Sequence, residues 1–166
     1  MKFWQIERVR QIAILLLTAS ALTLSAAKYD PPLLSIGGGV FNIISDHPKW
    51  MGQLEWKPSY LLYGLRPFVS CFLTEKYAAY FSAGLGIQLF LGDHFVVTPS
   101  FGPGLFFRGK GADLYYPIEF RSSIEAAFRF SNYSRIGAQF YHISNAGLGR
   151  KNPGAEILVL FFSVPL

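Results

Sequence analysis

Charge is scarce in this chain. Asp, Glu, Lys and Arg make up 15% of its 166 residues, where ordinary soluble domains carry about a quarter. Mean hydropathy is +0.30, too greasy for a typical water-soluble fold. Yet no long apolar run follows the N-terminus: nothing there approaches the ~20 residues that a spanning helix needs, which excludes helical crossing of a membrane. Cysteine occurs once, at Cys71, so no internal disulfide forms. No glycine-rich phosphate loop follows a strand-to-helix pattern, since Gly37-Gly38-Gly39 lies inside a strand segment. His47 and His94 each sit beside an aspartate, but no third ligand stands at useful spacing, so neither metal nor cofactor is expected. Basic residues are scattered, and no nucleic-acid patch stands out.

What is present begins with an export signal. Lys2, Arg8 and Arg10 form a basic start, Ile12 to Leu24 an apolar segment, and Ser25-Ala26-Ala27 a small-residue cleavage site. Residues 1–27 are therefore expected to be a cleaved signal peptide, leaving one domain over 28–166. Losing Lys2, Arg8, Arg10 and Glu7 takes the net charge from +5 to +3, mildly favourable at an anionic surface.

From Pro31 onward the chain divides into roughly ten-residue segments separated by turn residues. They are about 33–44, 50–60, 64–74, 77–91, 94–107, 116–130, 134–145 and 155–164. This predicts an all-β fold, an eight-stranded antiparallel transmembrane β-barrel, whose interior side chains can fill. Alternation is clearest over 118–130, where Ile118, Phe120, Ile124, Ala126, Phe128 and Phe130 share a face with Ser122 alone polar. Glu119, Arg121, Ser123, Glu125 and Arg129 take the other. A soluble lipocalin-like barrel would bury the apolar face; a membrane barrel buries the polar one. Scarce charge favours the membrane, as do small residues on the polar face (Ser82, Gly84, Gly86, Ser100, Gly102, Gly104). So do aromatics near strand ends, Trp50, Trp56, Tyr60, Tyr63, Tyr77, Tyr80, Tyr115 and Tyr116, placed as interfacial girdles. The charges of the 119–129 stripe are expected to pair with one another or with Glu55, Lys57 and Arg66. Pro58, Pro67, Pro99 and Pro103 are expected at bulges or strand ends, because proline donates nothing to a ladder. The segment Ile157 to Val164 is apolar on both faces, so its inside cannot be read.

The chemistry gathers in the last thirty or so residues, two strands joined by a polar Gly/Asn/Pro turn. Strand alternation puts His142 and Ser144 on one face with Ile136, Ala138 and Phe140, and Arg135, Gln139 and Tyr141 on the other. Glu156 opens the second strand, opposite or diagonal to that pair if the strands run antiparallel. Acid, base and hydroxyl are the ingredients of a triad, in which the base takes the serine proton and the acid fixes the base. A single His, Ser or Glu beside a turn is ordinarily solvated surface; the three at this spacing are less ordinary.

The segment His142-x-Ser144-Asn145-Ala146-Gly147, followed by Asn152-Pro153-Gly154-x-Glu156, resembles the signature of the lipid A 3-O-deacylase family of outer-membrane enzymes. The resemblance implies Ser144 as nucleophile, His142 as general base and Glu156 as the acid that orients it. It also implies Asn152 and the Gly147 N–H as oxyanion donors, with Asn145 in support. The implied substrate is lipid A of lipopolysaccharide, losing the ester-linked 3-hydroxyacyl chain at position 3 without a cofactor. Implied partners are that lipid, the outer membrane and a second copy of the chain. With both termini in the periplasm, the 146–154 turn is extracellular and the triad faces lipid at outer-leaflet height. The rival readings are a non-catalytic surface barrel, a soluble lipid-binding barrel and an acyltransferase that passes the chain to an alcohol.

Overall fold

The computed structural model describes residues 30–166, so the expected signal peptide lies outside the described residues. Strand segments are β1 (Leu33–Phe41), β2 (Lys49–Lys57), β3 (Arg66–Thr74), β4 (Ala79–Gly86), β5 (Leu89–Leu91), β6 (Phe95–Phe107), β7 (Ile118–Arg129), β8 (Arg135–Ser144) and β9 (Ala155–Pro165). All pairings are antiparallel, in the order β4-β3-β2-β1-β9-β8-β7-β6-β5, and a β4–β6 pairing closes the ring. The first and last strands meet along their whole length, from Leu33 opposite Pro165 to Phe41 opposite Ile157.

The nine segments make eight staves. β4 and β5 face β6 in one continuous register, from Tyr80 opposite Phe106 to Leu89 opposite Val97. The interruption at Ile87 and Gln88 comes from Pro99: the Ile87 N–H donates to the Pro99 carbonyl at 3.0 Å, but proline returns no bond. Pro103 leaves a second gap in the same ladder, opposite Ala83 and Gly84. Both prolines thus sit inside β6 and outside any bulge, since no register shift accompanies them, contrary to the sequence expectation. They turn their missing donor toward β4, while the β6–β7 ladder stays complete. Pro58 just follows β2 and Pro67 is second in β3, both at strand ends.

Apolar side chains face out and polar ones in. Ile36, Leu54, Val69, Phe81, Phe101, Ile124, Phe140 and Leu160 are exposed around the wall, while Glu55, Lys57, Arg121, Glu125, Arg135 and Gln139 are buried. That inversion is a barrel solvated by lipid. No helix among the described residues is long and apolar enough to cross a membrane; the strands cross.

The interior has two halves. Toward the end that carries both termini it is ionic. Arg121 Nη2 lies 2.7 Å from Glu55 Oε2, and Lys57 Nζ 3.1 Å from Glu55 Oε1 and against Glu125. Asp30 takes Arg66 at 3.4 Å, Arg129 at 2.9 Å, and Arg135. Glu119 departs from the expected pairing, for neither carboxyl oxygen has a partner among the described residues. Toward the far rim the interior is apolar, with Phe41, Phe72, Tyr80, Phe106, Leu114, Ile143 and Ile157 packed together. Tyr80 belongs to this core and not to a girdle: it is fully buried, and its hydroxyl donates to the Glu119 carbonyl at 2.9 Å. Glycine at 104 makes the room, since a Cβ there would collide with the Tyr80 ring. Trp50, Trp56, Tyr60, Tyr63, Tyr77 and Tyr115 do face outward.

Candidate active site

The far rim is built from the loops 42–48, 75–78, 108–117 and 145–154, and the triad candidates stand where β8 and β9 enter the last of them. His142 pairs directly with Glu156 in the β8–β9 register, the nearer of the two arrangements the sequence left open. Its Nδ1 lies 3.2 Å from Glu156 Oε1. An ionised carboxylate only accepts, so Nδ1 carries the proton and, in the neutral ring, Nε2 is left as the basic nitrogen. His142 and Glu156 are both partly exposed on the outer wall, between Phe140 and Leu158 on one side and the rim on the other.

Ser144 ends β8 on the same outward face, half-buried and opposite Phe120 of β7. No hydrogen bond joins its hydroxyl to His142; such contacts commonly tighten only when substrate is present. Extending the β8–β9 register one step past Ile143 and Ala155 puts Gly154 across from Ser144. The imidazole leans into that space: a Cβ on Gly154 would stand 2.5 Å from His142 Cε1 and 3.0 Å from Nε2. The basic nitrogen is therefore turned toward the Ser144 level, and only glycine leaves it room. Gly154 also holds φ +65°, a region most side chains avoid. Gly154 has no role that its residue type announces; its place within the motif, two residues before Glu156, is the one signal of it in the sequence.

Behind the outer face, Asn145 points into the barrel and is fully buried. Its Nδ2 donates to the Leu114 carbonyl at 3.0 Å and to the Lys151 carbonyl at 2.8 Å. Its Oδ1 accepts the Gly147 N–H at 3.0 Å and the Gly149 N–H at 3.5 Å. The Asn145 side chain thus holds the turn from within and ties it to the 108–117 loop, on the opposite side of β8 from Ser144. Its own N–H donates to Asn152 Oδ1 at 3.0 Å. With that oxygen held, the exposed Asn152 amide has its NH₂ turned away as a donor. Gly147 sits at φ +82°, its N–H engaged by Asn145. Lys151 lies 5.2 Å over the Tyr115 ring, a further link between the two loops.

The two Asp-His pairs of the sequence are at opposite ends. His47 is in the far-rim loop 42–48, while His94 stacks on Phe128 and bonds the Arg129 carbonyl at 3.0 Å near the termini.

An orienting carboxylate, an imidazole with a free nitrogen and a hydroxyl two residues along, on the lipid-facing side of a barrel, form the arrangement for acyl transfer. Residues 47–165 match the model of the family "Lipid A 3-O-deacylase (PagL)". The chain belongs to that family. It is 27% identical over 117 residues to lipid A deacylase PagL of Pseudomonas aeruginosa, an alignment covering 70% of this chain and 60% of that protein. The chain thus spans under two thirds of that curated relative. In fold it is similar to the crystal structure of the outer membrane enzyme PagL, with TM-score 0.63 and 20% identity over 81% of this chain and 99% of that one. A designed transmembrane β-barrel is similar too, at TM-score 0.60 and 10% identity over 86% of this chain and all of the other. A de novo designed barrel matching nearly as well in fold marks the architecture as generic. The barrel by itself therefore assigns no chemistry.

Proposed function

We infer that this protein is an outer-membrane serine esterase that removes the ester-linked 3-hydroxyacyl chain from position 3 of lipid A. Membership of the deacylase family supports the substrate. The observation that carries the mechanism is the His142–Glu156 pair at 3.2 Å on the lipid-facing wall, with Ser144 on the same face of β8. A soluble substrate would gain nothing from a nucleophile that faces hydrocarbon, whereas an acylated glycolipid already lies there.

With both termini in the periplasm, β8 runs outward, the 145–154 turn is extracellular, and the triad stands at outer-leaflet height. His142 Nε2 takes the Ser144 proton as Oγ attacks the ester carbonyl. The tetrahedral oxyanion is met by the Asn152 NH₂, a donor of a kind worth roughly 3–4 kcal/mol of transition-state stabilisation; the Gly147 N–H, which the resemblance also implied, is instead held by Asn145 Oδ1 on the inner side of β8. Collapse breaks the bond to the sugar oxygen, which leaves with the proton from His142. Water, deprotonated by the same nitrogen, then attacks the acyl-enzyme, releasing the hydroxy acid and restoring Ser144. Glu156 keeps the ring oriented and balances its charge in both halves.

The test uses the chain refolded in detergent, wild type beside Ser144→Ala, incubated with lipopolysaccharide and followed by mass spectrometry of lipid A. The expected result is loss of one hydroxyacyl chain with the wild type alone. A folded Ser144→Ala variant with full activity would refute the nucleophile. No mass change with either folded protein would favour a non-catalytic barrel.

A further inference from the structure

Ser122 interrupts the lipid-facing stripe of β7, where every other outward position from Ile118 to Phe128 is apolar. Register places the interruption. Ser122 is opposite His142, and His142 opposite Glu156, so three polar side chains form one row across β7, β8 and β9. The next row toward the bilayer centre is Ile124, Phe140 and Leu158, wholly apolar. Ser122 thus stands on the far side of the imidazole from Glu156, within reach of what lies before His142, as cross-strand neighbours do.

Its hydroxyl is exposed, and no protein group bonds it among the described residues. Ser100 and Ser123, turned the other way, bond each other at 2.6 Å, so serine in this region is otherwise satisfied. An unpartnered hydroxyl facing hydrocarbon is unfavourable unless something polar meets it. Ser122 also opens onto a groove of about 640 Å³ between β4, β6 and β7, so nothing covers it.

Depth identifies the group it meets. Ser144 lies two residues nearer the rim than the Ser122 row, a step of roughly 7 Å along a strand. An ester carbonyl at Ser144 sends its acyl chain down toward that row; the hydroxyl of a 3-hydroxyacyl chain, two carbons below the carbonyl, covers part of that step, and a hydrogen bond of about 3 Å between the two hydroxyls covers most of the rest. We propose that Ser122 is a specificity-determining residue whose hydroxyl hydrogen-bonds the 3-hydroxyl of the scissile acyl chain. The enzyme then selects β-hydroxyacyl esters over unsubstituted ones. This rests on the esterase reading above, with Ser144 as nucleophile.

The experiment compares two synthetic glucosamine 3-O-esters in mixed micelles, one with a 3-hydroxytetradecanoyl and one with a tetradecanoyl chain. The enzymes are wild type, Ser122→Ala, Ser122→Thr and Ser144→Ala, each shown to be folded. Wild type is expected to favour the hydroxy ester about tenfold in kcat/KM, the size of one hydrogen bond. Ser122→Ala brings that ratio close to one, and Ser122→Thr, which keeps a hydroxyl, restores most of it. No preference in the wild type, or a Ser122→Ala loss equal for both esters, overturns the proposal while an inactive Ser144→Ala leaves the esterase reading standing. Turnover by Ser144→Ala together with an inert Ser122→Ala overturns both, and makes Ser122 the nucleophile.

Discussion

At the scale of single residues, the site turns on one missing side chain. Gly154 is the floor on which the His142 imidazole rests, and its positive φ and its lack of a Cβ serve the same geometry. Gly154→Ala is expected to push the ring off the Ser144 level and lower kcat roughly 100-fold, the usual consequence of about 1 Å of misplacement. Gly92→Ala is the control: φ is +69° there too, but a Cβ meets nothing within 4 Å. It should cost about 1 kcal/mol in urea unfolding and leave turnover alone. Equal kcat losses in the two variants would remove Gly154 from the site. Glu156→Gln keeps the shape of the partner of His142 but not its charge. Its kcat should fall by roughly 10²–10⁴, with little change in KM, as when a triad acid is neutralised. The three polar candidates, Ser144, His142 and Glu156, stand out in the sequence because their types announce a chemistry; Gly154 does not, because what it contributes is space.

At the scale of elements, the 145–154 turn is held by a side chain inside the barrel. Asn145 spends both ends of its amide on the backbones of the 145–154 turn and of the 108–117 loop. Asn145→Ala strands the Leu114 and Lys151 carbonyls and the Gly147 N–H, at about 1–3 kcal/mol of local stability. Because the loss is local, the unfolding midpoint should move little, while trypsin cleavage at the exposed Arg150 and Lys151 accelerates. Unchanged cleavage would show that the turn is held by something else. The staves themselves were readable from period-two alternation, and the 77–91 segment proved to be one stave in two pieces. Pro99 and Pro103 sit within β6 and not at the bulges or strand ends that the sequence predicts, because a strand tolerates a missing donor on one side. Which side is free depends on a neighbour the local sequence does not name.

At the scale of the whole molecule, an apolar wall is matched by a charged interior, and the charges other than Glu119 close on one another. Asp30 is the keystone at the end opposite the site, facing Arg66, Arg129 and Arg135. Asp30→Asn takes away the carboxylate shared by the buried Arg66 and Arg135 and the partly buried Arg129, and should destabilise the barrel by about 3–5 kcal/mol. Urea unfolding in lipid vesicles reads this directly, and a shift under 1 kcal/mol would mean that water or Glu125 takes over. The proposed deacylation should persist in the variant under conditions where it is folded, because the proposed triad stands at the other rim.

The sequence by itself determined the barrel, its membrane-facing polarity and the family to which the chain belongs. Scarce charge, strict alternation and the His142-to-Glu156 motif are local properties of the chain. Only the tertiary structure decided what depends on distant neighbours. The last strand, apolar on both faces, turns Ile157, Val159 and Phe161 inward and Leu158, Leu160 and Phe162 outward because β1 and β8 pair with it in a single register. Tyr80 went to the core because Gly104, two strands' pairing away in sequence, left a hollow for its ring. Ser122 came beside His142 for the same reason. A hydroxyl's meaning is set by what lies across the ladder, and one residue of slip would have turned it inside.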